Sequence, residues 1–160
     1  MSDTIERAET AFEFQANIAQ RAAKLLAHSL QNTQEDKLNW RPSCDESSKT
    51  RTVMEQVIEC IRVNFRIGAS LKGADAGDMA EEPTSIEEAV DQLLESGEYL
   101  SSAIRVQDYS LFERTFETPM GKLDGRTMIT LPVANMYYHF GQISQIQLLY
   151  GDDNYYFPKE

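Results

Sequence analysis

Asn135, Tyr138, His139, Gly141 and Gln142 stand in one run, Asn135-Met136-Tyr137-Tyr138-His139-Phe140-Gly141-Gln142-Ile143, where the chain's chemically capable side chains are most concentrated. In a helix, residues four apart share a face, so the Asn135 amide and the His139 imidazole can converge on one point. An imidazole there can ligate a metal, move a proton, or serve as a hydrogen-bonded core group. The last use is the plain one, because His139 lies on a stripe with Met136, Ile143 and Ile146. Asn135 would then bond to His139 and fix its tautomer, Gln142 would bond across helices, and Gly141 would let a neighbouring helix approach. Tyr138 is better placed than Tyr137 to line a pocket, since adjacent helical residues point about 100° apart.

The elements that must position these residues read as helices. Over residues 4–30, Ala8, Ala11, Phe14, Ile18, Ala22 and Leu25 recur at three- and four-residue steps, which predicts one long amphipathic helix. A helical turn over 34–38 leads into Trp40-Arg41-Pro42, where proline disfavours helical geometry in the residue before it, and 43–49 is a polar loop. Trp40 and Pro42 are expected to cap one end of the fold. Thr52-x-x-Glu55 has the form of a capping box and opens a second helix that extends to Lys72. Residues 73–83 form a flexible connection, and Ser85-x-x-Glu88, a second capping box, opens a third helix through Ile104. Gly97 within it marks close packing or a weak point.

The pattern is lost over 107–126, where Phe112, Phe116, Pro119 and Gly121 predict an ordered loop that tucks aromatics against the helices. A fourth helix spans 127–150, with Pro132 expected in its first turns, where a missing donor matters least. Four long helices and no convincing strand predict an all-α chain, a four-helix bundle forming one domain over residues 1–160. The tail 152–160, with Tyr155, Tyr156 and Phe157, is expected to dock on the bundle or on a partner subunit.

Composition bounds the function. The 160 residues are 41% hydrophobic and 26% charged, with a net charge of −11 and a pI near 4.6. Such a charge argues against nucleic acid, whose phosphate backbone is bound by clustered Lys and Arg, and with the fifteen basic residues scattered along the sequence no nucleic-acid partner is expected. No apolar run approaches the roughly 20 residues that span a bilayer, and residues 1–7 lack the basic head and apolar run of an export signal. The expectation is a cytoplasmic protein with no membrane partner. Cys44 and Cys60 have no zinc-type spacing and read as free thiols, Cys60 as a small buried hydrophobe among Val and Ile.

Three blocks in order carry a resemblance. Gln34-Glu-Asp-Lys-Leu-Asn-Trp40-Arg-Pro42, the run Val53-Met-Glu-Gln-Val-Ile-Glu-Cys60-Ile61, and His139-Phe-Gly-Gln142-Ile143 before Tyr150-Gly151 together resemble the DinB-like superfamily over most of the chain. The resemblance implies a four-helix bundle of DinB-like topology, often a homodimer, in which three histidines hold a divalent metal. One comes from helix two and a His-x-x-x-His pair from helix four. By motif, these positions fall on Cys60, Asn135 and His139, so the histidine triad is degenerate. The other histidine of the chain, His28, lies outside the pattern.

A zinc or nickel site needs about three good donors and an open position. Cys60 as thiolate is a strong zinc ligand, but the Asn135 amide oxygen is weak. Glu55 and Glu59 turn differently around the helix, so recruiting Glu59 is strained, while Asn64 lies one turn along the Cys60 face. The preferred reading is a decayed metal site, with no metal expected and zinc or nickel the alternative. A small polar pocket between helices two and four, around Cys60, Asn135 and His139 with Tyr138, Gln142 and Asn64 lining it, then holds a small-molecule ligand or the fold itself. The alternatives are a metal-dependent hydrolase, a transferase using a low-molecular-weight thiol, and a dimeric interaction module.

Overall fold

The structure is a computed structural model that describes residues 10–43, 45, 47, 49–75 and 81–157. Four helices dominate it: α1 (Ala11–Gln31), α2 (Val53–Lys72), α3 (Ile86–Arg105) and α4 (Gly125–Leu149). α1 opens on a capping box at Thr10, whose hydroxyl accepts from the Glu13 N–H at 3.1 Å while the Thr10 N–H donates to the Glu13 carboxylate at 2.7 Å. The segment before it, where the expected helix began, lies outside the described residues. Thr52 and Glu55 form the expected box at α2, with bonds of 3.1 and 2.8 Å. α2 closes on Gly73, whose φ of 68° is the left-handed cap glycine favours.

Only half of the box expected at α3 is present. The Ser85 hydroxyl accepts from the Glu88 N–H at 3.2 Å, but the Glu88 carboxylate turns to the Thr84 N–H and hydroxyl, at 2.8 and 2.9 Å. The predicted turn after α1 is present as a 3-10 turn, Glu35–Lys37.

Two sequence expectations change. The segment 107–126 holds a 3-10 turn, Tyr109–Glu113, and an antiparallel hairpin of β1 (Thr115–Thr118) and β2 (Gly121–Asp124), pairing Thr115 with Asp124 and Phe116 with Leu123. Strands of four residues are too short for their alternation to stand out. The aromatics do tuck in as expected: Phe112 stacks on Phe12 with centroids 5.6 Å apart, and Phe116 is buried. Pro132 lies past the first two turns, because Asp124 caps α4, accepting from the Thr127 N–H at 2.8 Å, and the helix begins at Gly125, two residues earlier than expected. A proline inside a helix removes the N–H that would bond the carbonyl four residues back, here Met128. In the same turn, the Gln15 side-chain amide donates to the Ile129 carbonyl at 2.7 Å.

The principal helix contacts run α1 to α3, α3 to α2, α2 to α4 and α4 to α1. Helices consecutive in sequence, α1 with α2 and α3 with α4, therefore face each other across the bundle, joined by the long connections 32–52 and 106–124. Leu26, Leu30, Ile61, Leu93, Leu100, Ile104, Met128, Met136 and Ile143 fill the core. Gly97 marks close packing, since a Cβ there would meet the Ala23 Cβ at 2.5 Å. Trp40 meets Tyr150 edge-on at 6.2 Å at one end, and Phe157 of the tail packs on Phe140 at 5.5 Å. Among the described residues, no helix is long and apolar enough to cross a membrane.

Candidate functional site

α2 and α4 are neighbours, so the faces of both helices that bear polar groups meet. Gln56, Glu59 and Cys60 on α2 stand at helical steps of three and four, and Asn135, His139 and Gln142 do the same on α4. His139 is the hub. Its ring is 1% exposed, with Nδ1 3.0 Å from the Gln56 Oε1 and 2.9 Å from the Gln142 Oε1, and Nε2 3.2 Å from the Glu59 Oε1.

A neutral ring carries one proton, which on Nδ1 meets the two amide oxygens and on Nε2 meets the Glu59 carboxylate. The second Glu59 oxygen pairs with the Arg51 guanidinium. Gln142 in turn donates from its side-chain nitrogen to the Tyr138 hydroxyl at 2.8 Å. Burial holds the His139 pKa below the ordinary histidine range; the bond to Gln142 opposes this and the Arg51 charge adds to it.

Beside the hub lies a cleft of about 530 Å³, lined among others by Arg51, Gln56, Glu59, Tyr138, His139 and Gln142. Tyr138 and Gln142, singled out from sequence as lining residues, are thus at its wall. Gln142 bonds along its own helix to His139 and Tyr138, not across helices as expected. Glu59, which helical rotation made a strained partner, reaches His139 directly. Gln56 escaped the sequence reading, although its position four residues before Cys60 on the same face was a usable signal.

Cys60, Asn135 and Asn64 occupy a different environment. Cys60 is 0% exposed, and burial pushes its thiol up to about 12, so it stays protonated at neutral pH. Asn135 donates from its amide nitrogen to the Cys60 sulfur at 3.7 Å instead of fixing the His139 tautomer. Asn64 is 0% exposed and does not line the cleft; its amide nitrogen bonds Ser96 of α3 at 3.1 Å and the Met136 sulfur at 3.5 Å. Gly141 is exposed, and among the described residues nothing lies within 4 Å of a Cβ built there, so it does not admit a neighbouring helix as expected.

These contacts do not fit a metal at Cys60, Asn135 and His139. The thiol is neutral and covered, Asn135 turns an N–H toward it, and both His139 nitrogens already have protein partners. A metal would have to displace Glu59 or the two glutamines to gain a single imidazole donor. Among the described residues, no three of His, Cys, Asp and Glu are placed to share an ion. The cleft presents a hydroxyl, amides and an ion pair around a concave space within the size range of small-molecule pockets. Set against protein-family models and curated proteins, the chain matches none.

Proposed function

We propose that this chain is a DinB-like helical bundle whose metal site has decayed and whose cleft between α2 and α4 binds a small polar ligand. One observation carries the reading: His139, the histidine at a ligand position of the motif, spends both ring nitrogens on Gln56, Gln142 and Glu59. A ring held from both sides orients its neighbours and neither attacks nor ligates. The groups left facing the cleft, the Tyr138 hydroxyl and the Gln142 and Glu59 side chains, are donors and acceptors suited to hydroxyl, amide or amine groups.

The chain has only two histidines, so the imidazole ring protons of His139 can be followed by NMR once a His28→Gln variant assigns them. Small amides and sugars that occupy the cleft shift the His139 signals in a saturable way and leave those of His28 in place. Absence of any such shift, with the fold intact, would remove the binding reading.

A homodimer is a second reading, favoured by a separate feature of α4. From Thr127 to Tyr150 there is no Asp, Glu, Lys or Arg, and Tyr137, Leu148 and Leu149 are exposed. In a chain of net charge −11, an uncharged surface is where two copies can meet with least repulsion. The mass in solution of the full chain and of Leu148→Asp tests it: a dimer that the variant dissociates supports the reading, and a monomeric full chain refutes it.

A further inference from the structure

One concave surface of this acidic chain is basic. The outer side of α2 and the loop before it form a groove of about 570 Å³, lined by Arg41, Lys49, Arg51, Arg62 and Arg66. Five of the fifteen Lys and Arg residues line it but only three of the 26 acidic ones, Glu55, Glu59 and Glu82. By side-chain count, the groove carries +2 and the rest of the chain −13.

The three carboxylates are committed. Glu55 pairs with Arg41, Glu59 with Arg51 and Glu82 with Arg62. Lys49 and Arg66 have no carboxylate within ion-pair distance among the described residues. Arg62 and Arg66 stand four apart on α2, so their guanidinium groups lie on one face of the helix. No carboxylate of the described chain offsets the charge of the exposed Arg66, so an external anion bound there displaces no ion pair. Guanidinium groups also keep free donors after one carboxylate is bound, and their fork matches carboxylate or phosphate oxygens.

The groove and the His139 cleft share Lys49, Thr50, Arg51 and Glu59 as lining residues, so they adjoin. The geometry points to one ligand across both: a small molecule whose carboxylate or phosphate lies in the groove against Lys49 and Arg66 and whose uncharged polar part enters the cleft. This rests on the ligand-binding reading of the cleft and adds the charge of the ligand. The two spaces are of small-molecule size, and the strongly negative remainder of the chain repels a long polyanion.

The test is titration of the full chain with inorganic phosphate and, separately, citrate, at ionic strength held constant with sodium chloride, followed by melting temperature. Saturable stabilisation by one of them is expected, the responding anion telling phosphate from carboxylate ligands. Arg66→Glu and Lys49→Glu should each weaken that binding at least tenfold. Lys24→Glu on α1, which changes net charge equally outside the groove, should leave it within about twofold. No stabilisation beyond that of chloride, or equal losses in all three variants, overturns the proposal. Should neutral ligands still shift the His139 ring signals in that event, the cleft reading stands and only the anionic group is lost.

Discussion

Two levels of the α2–α4 interface, one helical turn apart, treat their polar groups in opposite ways. At the level of Gln56, Glu59, His139 and Gln142, both His139 ring nitrogens have partners, and the cluster opens to a cleft. At the level of Cys60, Asn64 and Asn135, the thiol is sealed, and the Asn64 amide oxygen is buried with no partner among the described residues. The first level lies beside the loop that brings Lys49 and Arg51 and opens to the cleft, so solvent can reach it. The second is enclosed by Met136 and Ser96, to which the Asn64 amide nitrogen donates. Residues that a motif groups together can thus belong to different environments, and depth along the bundle decides which of them can do chemistry.

The largest expected effect comes from His139→Ala, which leaves Gln56, Glu59 and Gln142 without their common partner. Loss of buried hydrogen bonds, one to a carboxylate, predicts destabilisation of about 3 kcal/mol in urea unfolding. Asn135→Ala, which removes one weak bond to sulfur, should cost about 1 kcal/mol or less. Equal losses in the two variants would erase the distinction between the levels.

Cys60→Ser replaces a sealed thiol by a hydroxyl in a site whose neighbour is already short of partners, at a cost of about 1–2 kcal/mol. In a Cys44→Ser background, the native chain should react with a thiol reagent only as fast as it opens, whereas denaturant exposes Cys60 at once. Fast labelling of the native chain would move Cys60 into the open level.

Acid offers a smaller and more selective comparison. The folded His139 pKa lies below the ordinary value of 6.5, so below about pH 6.5 the unfolded chain takes up a proton that the folded chain refuses. Stability therefore falls as pH drops from 6.5 toward the folded pKa, and His139→Gln should abolish this limb. A second limb follows at lower pH in both proteins. Glu55 and Asp124, whose carboxyls are lowered first by bonds to the backbone of Thr52 and Thr127, lose their contribution as they protonate. A first limb that survives in His139→Gln would place its cause elsewhere.

Much of the helical frame was legible because its signals are local. Thr52 with Glu55 and the cap at Gly73 bracket α2, and the apolar steps of α1 and α3 repeat over several turns. Thr115 to Asp124 was not legible as a hairpin, since two strands of four residues carry too little alternation and Gly121 reads equally well as loop. Pro132 was misplaced because Asp124, the true cap, sits in that same illegible stretch. In the site, His139, Tyr138 and Gln142 could be named from their spacing on one helix. Glu59 and Gln56 reach His139 only through the way α2 is rotated and set against α4, which no spacing on a single helix encodes. The basic groove draws Arg41 and Lys49 from a loop and Arg66 from a distant turn of α2, so in sequence its charges look scattered.

The most direct test of the account is metal analysis by mass spectrometry of the full chain, purified without a histidine tag and dialysed against zinc or nickel and then metal-free buffer. The account predicts no stoichiometric metal, and identical traces in the parent chain and in His139→Ala. One zinc or nickel per chain, held through dialysis and lost in His139→Ala, would contradict it.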